Sequence, residues 1–424
     1  MTTDQNNSPA IIAELFDQLP SPKFAKPQLG ADVKPNIDLN DALGQALAKP
    51  EFYPPIDESV FPGDTIAILL QSDLPHPRSV LRALLGQLNQ ANISASDIVV
   101  VISPIMAAKF GIESSQYESP EENAPEGIRP PIIPIEFEFT TINFQVHDAE
   151  NNAGLAYLVA NEDGDPVHVN RLLVDADVIL PVGSPFPGET NQQNDCLYPD
   201  FASLPVKERF ASEQGSFLTR WQEIELANDS LGSFFSIQII CGPGDTIQRI
   251  VSGARKDAVM TARATANKLW AFDWNQSSDV VVATIESTSN PQNWDDFAAA
   301  LIAASRVAKS DGPIVVWTQI AIPPDRNIRK ALMSQFEDNI STKLSKSLQH
   351  VAAIINERPV FLKSNLKRNI VEELGMGFVE SGEQVVRIAD SHESGLLIRD
   401  AHKCQVRVGD AIEAESNLQG ESSQ

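Results

Sequence analysis

The chain has 424 residues, 42% of them hydrophobic, which is long for one core and enough to fill two domains. Its 57 acidic and 32 basic residues give a formal net charge of −25, which argues against nucleic acid or an anionic membrane as partner because phosphates would be repelled. No apolar run reaches membrane-spanning length, and Cys196, Cys241 and Cys404 are too far apart for a metal-binding spacing, so they read as free thiols in a reducing compartment.

Residues 1–37 form a polar, proline-dotted segment whose opening Met-Thr-Thr-Asp-Gln-Asn-Asn-Ser lacks the basic and apolar regions of a signal peptide, so the expected localisation is cytoplasmic. A first domain is expected over 38–270, beginning with a helical candidate at 41–48. Asp64-Thr-Ile-Ala-Ile-Leu-Leu70 and Ile98-Val-Val-Val-Ile102 are short apolar runs that read as buried parallel strands. Between them Val80, Leu81, Leu84, Leu85 and Leu88 recur at helical spacing, completing a βαβ unit. The joining turn is Gln71-Ser-Asp-Leu-Pro-His-Pro-Arg78, with Pro77 at the first helical position and His76 as the cap. A polar loop at the carboxyl end of a parallel strand, facing a helix N-terminus, is where α/β proteins place ligands.

Residues 111–165 hold twelve acids and one basic residue, Arg129, and read as a solvated acidic surface. Within them the prolines of 113–136 predict a surface loop. Strands are expected at 141–146, 155–160 and 177–182, with a turn at Gly164-Asp165 before Val167-His-Val169. The strand closed by Gly183 empties into a loop rich in donors and acceptors, with Ser184, Glu189, Asn191, Gln192, Asn194 and Asp195. A further strand at 234–240 leads to Gly242-Pro-Gly244, which lacks GxGxxG or a following Gly-Lys-Ser/Thr and reads as a tight turn. Asp245 is expected to cap a helix running from Thr246, with a break at Gly253, towards Leu269.

The second domain is expected over 271–409. It has strands at 279–285 and 313–318, a helix through Phe297, Leu301, Ile302 and Val307, and helices near 325–348 and 365–375 around a strand at 351–355. Trp270, Trp274, Trp294 and Trp317 are expected to fill the seam between domains. Residues 410–424 read as a disordered acidic tail.

The order of these signals resembles the nickel-pincer lactate racemase family. The resemblance rests on Asp41 to Asp73, on Gly164-Asp-Pro-Val-His-Val-Asn-Arg171 with Ala176-Asp-Val-Ile-Leu180, and on the strand, loop, helix and strand from 279 to 318. It implies an α/β fold of two domains with mainly parallel sheets flanked by helices and a cleft between the domains. It also implies racemisation of a 2-hydroxy acid by hydride transfer to a nickel-bound pyridinium nucleotide, which requires two histidine bases, a tethering lysine and a histidine on nickel. Asp73 and Pro77 match the family's Asp-x-Thr-Arg-Pro turn, whose arginine becomes His76, with Arg78 one step on. The family's Gly-Thr-His-Arg falls on Ser103-Pro-Ile-Met106, its lysine- and histidine-bearing loop falls on residues 183–199, which contain neither, and its Tyr-Gln and lysine pattern falls on Asp295, Asp296 and Ala299.

All six histidines, His76, His147, His168, His350, His392 and His402, lie elsewhere than the family's bases and nickel ligand. The resemblance therefore implies a diverged member in which the nickel-pincer nucleotide is not retained, the actual cofactor is unknown, and a small organic acid or nucleotide is the bound ligand. The alternative is an active 2-hydroxy acid racemase or epimerase with an altered site. Candidate catalytic residues are Asp73 and His76, as a proton-transfer pair. Candidate ligand-binding residues are Arg78, Ser184, Glu189, Asn191, Asn194 and Asp195, and no metal ligands are assigned. The competing reading makes Asp73 and His76 turn and cap residues, and the loop a solvated one. His168 reads as an edge or core histidine, and His147-Asp148 as a surface pair.

Overall fold

The computed structural model describes residues 24–25, 37–117, 129–138, 140–185, 197–211, 217–232, 234–287, 289, 291–333 and 346–407. The chain divides into two compact units, one built from Lys34–Cys241 with Thr246–Ala266, the other from Gly242–Asp245 and the chain from Asn267 on, with the short strand Phe24–Ala25. No helix among the described residues is long and apolar enough to cross a membrane.

The first unit is organised on a seven-stranded sheet in the order Ile247–Ala254, Phe235–Cys241, Val178–Gly183, Ile66–Leu70, Ile98–Ile102, Thr140–Val146, Ile133–Phe137. The five inner strands are parallel and the two edge strands antiparallel. Ile66–Leu70 and Ile98–Ile102 are buried along their whole length because both faces are covered, which is why they read as continuous apolar runs. Ile66, Ile68, Leu70, Val100 and Ile102 pack under the helices Leu39–Ala48, Pro77–Gln90 and Pro104–Phe110. Ala67, Leu69, Val99 and Val101 point the other way, to Val167, Val169, Tyr198, Phe201 and Ile224.

Two expected elements and one expected surface residue differ in this unit. Residues 247–254 form a strand, not a helix, because Ile247, Ile250 and Val251 pair antiparallel with the strand Phe235–Cys241 and bury their side chains there. The helix follows, at Arg255–Trp270. Within the expected loop 113–136, Ile133–Phe137 pairs as an edge strand in which Pro134 is tolerated; residues 118–128 lie outside the described residues. His147 is 3% exposed, so it is a core residue and not part of a surface pair.

The second unit carries a six-stranded, all-parallel sheet in the order Phe24–Ala25, Gly395–Ile398, Val280–Thr284, Ile314–Trp317, Val360–Lys363, Gly377–Phe378. One face packs on the helices Trp294–Ser305, Arg326–Met333 and Lys346–Glu357; the other packs Val282, Val315, Trp317 and Leu397 against Val385 and Ala389 of the helix Gly382–Asp390. The run 351–355 is helical rather than a strand. Val351, Ile354 and Ile355 lie three and four residues apart on the buried side of Lys346–Glu357, and the strand comes next, at Val360–Lys363. Trp317 lies inside this unit's own core. The tail 410–424 lies outside the described residues.

Candidate functional site

In the first unit the chain runs outward from Ile66–Leu70 through Ile98–Ile102 to Thr140–Val146, then returns to place Val178–Gly183 on the other side of Ile66–Leu70. The carboxyl ends of Ile66–Leu70 and Val178–Gly183 therefore flank a topological switch point, where open α/β sheets form ligand crevices. Gln71 is buried there and ties the two ends together. Its backbone N–H donates to the Val182 carbonyl (3.1 Å), and its Oε1 accepts the Ser184 backbone N–H (2.8 Å). The Leu74 N–H closes the turn on the Gln71 carbonyl (3.1 Å).

Of the candidate residues, Asp73, His76 and Arg78 are exposed and stand in or just after this turn. His76 is in the left-handed region (φ 50°, ψ 45°) and caps Pro77–Gln90 without a side-chain cap bond, while Pro77 takes the first helical position as expected. Its backbone is a conformation that histidine visits sparingly, of a kind that clusters at functional sites. The Arg78 guanidinium lies over the rings of Phe110 (5.6 Å) and Phe137 (5.4 Å). Stacking of this kind fixes the cation and leaves its in-plane N–H groups available. Ser184 joins the site through its backbone; Glu189, Asn191, Asn194 and Asp195 lie outside the described residues.

At the neighbouring strand end, Ser103 caps the helix Pro104–Phe110 by accepting the Met106 N–H (3.3 Å), and it accepts a hydrogen bond from Ser72 Oγ (2.8 Å). Lys109 Nζ reaches the Ser72 carbonyl (3.2 Å). His147, which follows Thr140–Val146, is locked. Its Nε2 meets the Ala202 carbonyl (2.9 Å) and its Nδ1 the Asn170 amide (3.3 Å), so the ring is the Nε2–H tautomer. Burial, helped by the charge of Lys207, lowers its pKa to about 4, so it is neutral at pH 7.

The second unit has its own switch point, because the chain leaves Val280–Thr284 in one direction and returns with Gly395–Ile398 on the other side. Here charged residues fill it. Arg399 grips the Glu286 carboxylate through Nε (2.8 Å) and Nη2 (2.5 Å), and Thr284 Oγ donates to the same carboxylate (2.8 Å). Burial and the nearby Asp400 carboxylate push the Glu286 pKa up against the pull of Arg399. Asp400, in the left-handed region (φ 45°), is fully buried and accepts the backbone N–H groups of Glu286 (2.6 Å), Ser287 (3.2 Å) and Gly244 (2.7 Å).

Asp245, expected to cap a helix, instead accepts Ser287 Oγ (2.6 Å), the Ser289 N–H (3.2 Å) and Lys403 Nζ (3.0 Å). Burial raises its pKa, but Lys403 and these hydrogen bonds outweigh burial and hold the carboxyl well below its ordinary range. Gly242-Pro-Gly244 is a tight turn, as expected. Sequence reasoning missed this cluster, whose one sequence signal is charge placed directly after an apolar run: Glu286 after Val280–Thr284 and Arg399-Asp400 after Gly395–Ile398.

No protein-family model matches the chain, and no curated protein matches it. Among solved structures, the lactate racemase apoprotein from Thermoanaerobacterium thermosaccharolyticum matches with a TM-score of 0.62 at 15% identity, covering 92% of this chain and 96% of that one. The fold is lactate racemase-like. A Thermotoga maritima protein solved as a structural genomics target matches with a TM-score of 0.55 at 14% identity, covering 90% of this chain and all of that one. At such identities the likeness to lactate racemase is one of fold. Among the described residues the donors do not fit nickel: both ring nitrogens of His147 are engaged and no group of three or more His, Cys, Asp or Glu is arranged to hold a metal, while residues 183–199 contain no histidine or lysine.

Proposed function

We propose that this lactate racemase-like chain is a catalytically diverged, cytoplasmic protein that binds a small organic acid at the switch point of its first unit, without nickel-dependent hydride transfer. The observation that carries this reading is the Ser72–Ser103 hydrogen bond. Ser103 stands where the resemblance calls for a histidine-bearing segment, and its hydroxyl is committed to Ser72 and to capping a helix. A hydroxyl so engaged, whose neighbour across the strands, His147, has both ring nitrogens committed to Ala202 and Asn170, is not a general base near neutral pH. Recognition falls to groups that bind anions without chemistry: the stacked Arg78, the first-turn amides of Pro77–Gln90 and the polar loop from Ser184. A nucleotide is the other ligand class this anion-binding arrangement suits. The net charge of −25 supports a small-molecule ligand over nucleic acid or membrane.

One observation favours a second reading, an active racemase or epimerase with an altered site: the exposed, strained His76 shares its turn with Asp73. A single assay separates the two. Protein purified from its native host is incubated with each enantiomer of lactate and other 2-hydroxy acids, and chiral chromatography follows the opposite enantiomer. No interconversion, together with saturable stabilisation of the protein by an organic acid, is expected. Interconversion that His76→Ala abolishes would replace the first reading with the second.

A further inference from the structure

Parallel register places Thr284, Trp317 and Lys363 side by side on one face of the second unit's sheet, in its last row before the carboxyl ends. The row continues to Arg399, one residue beyond the Ala283–Ile398 pair. Its two halves differ in one respect. Glu286 supplies an internal carboxylate that accepts from both Thr284 and Arg399, so those donors are satisfied. Nothing does the same for the other half. Lys363 is only 6% exposed, and its ammonium makes no hydrogen bond or ion pair among the described residues. Trp317 is fully buried and its indole N–H has no partner among the described residues. Glu380 acts on Lys363 only through longer-range charge; it is exposed.

Two donors without acceptors among the described residues, the buried Trp317 indole N–H and the Lys363 ammonium, come from paired positions on adjacent strands. Buried polar groups are almost always paired, so the orphaned Trp317 N–H is an exception, and the Lys363 side chain, only 6% exposed, brings a positive charge beside it. The face is otherwise apolar, formed by Val282, Val315, Val379, Val385 and Leu397, which strengthens any charge-assisted hydrogen bond made there. Both donors ask for the same thing, an oxygen carrying negative charge.

We propose that Lys363 and Trp317 form an oxyanion-binding site at the carboxyl end of the second unit's sheet, taking the carboxylate of a small acid or a phosphate group in the place that Glu286 fills for Arg399. The site lies within the second unit and does not depend on the function proposed above, so failure of either leaves the other standing. The apolar surroundings favour a ligand that is compact or apolar beyond its anionic group.

The test is isothermal titration of the full chain with inorganic phosphate and, separately, with acetate and pyruvate, for wild type, Lys363→Met and Trp317→Phe, with circular dichroism of each. Saturable binding of one class is expected, weakened at least tenfold by Lys363→Met and measurably by Trp317→Phe; phosphate without the carboxylates, or the reverse, identifies the source of the oxyanion. Lys363→Met is also expected to melt no lower than wild type without ligand, because partial burial disfavours the Lys363 charge. Equal affinity in wild type and Lys363→Met, or no binding of either class to wild type at 10-fold molar excess over a protein concentration of about 1 mM, overturns the proposal. Should Lys363→Met fail to fold, Trp317→Phe decides: unchanged affinity rejects the site.

Discussion

Replacing Asp400 by Asn should cost the second unit about 2 to 3 kcal/mol. The carboxylate is fully buried and takes three backbone amides, Glu286 and Ser287 at Oδ1 and Gly244 at Oδ2. An Asn Oδ1 keeps the first two as weaker, neutral bonds, but its NH2 then faces the Gly244 N–H, donor against donor. Orphaning a buried donor costs about 1 to 3 kcal/mol, and losing charge assistance roughly halves the remaining bonds. Relief of the repulsion with Glu286 returns part of this. Asn tolerates the φ of 45° at this position, so backbone strain does not confound the comparison.

Trp270, Trp274, Trp294 and Trp317 belong to the second unit and only Trp221 to the first, so tryptophan fluorescence during urea unfolding chiefly follows the unit being tested. With a slope of about 2 kcal/mol per molar urea, the midpoint should fall by about 1 M. An unchanged slope with a shift below about 0.2 M would show that the amides around Asp400 do not depend on its charge, and would refute this account of the switch point.

Three further outcomes are expected. Gly253→Ala places a Cβ 2.1 Å from the Glu51 carbonyl oxygen and 2.4 Å from its nitrogen at φ +145°, so the first unit should lose about 3 kcal/mol or more, read by circular dichroism in urea. Burial lowers His147 and His402 to about 4 from 6.5, so each contributes stability that is complete above pH 6.5 and lost as pH falls towards 4. From pH 6.5 to 5 that amounts to about 2 kcal/mol per group, and His402→Gln should flatten the pH dependence of the fluorescence midpoint. Arg78→Met should cost less than about 1 kcal/mol of stability, since an exposed cation–π contact is worth little, yet weaken an organic acid bound at the first switch point about tenfold or more.

The βαβ unit around Ile66–Leu70 and Ile98–Ile102 was legible because its strands are buried on both faces and its helix has one apolar side, so composition and period agreed. The strand Ile247–Ala254 was not, because its conformation is decided by a partner strand, while Asp245 before Thr246 imitates a helix start. Residues 351–355 misled for a related reason: the β-branched Val351, Ile354 and Ile355 lie on the buried side of a helix. The turn holding Asp73 and His76 is local and could be placed from Pro77 alone. The contacts joining Asp245, Ser287, Asp400 and Lys403 are made by segments far apart in sequence, and no local pattern encodes them.

The most direct test of the central claim is elemental analysis with intact mass on protein purified from its native host, where any cofactor-building enzymes are present. Divergence from nickel chemistry predicts the unmodified chain mass and no stoichiometric nickel. Stoichiometric nickel with an added mass on a lysine would contradict it, and would make hydride-transfer racemisation the activity to assay.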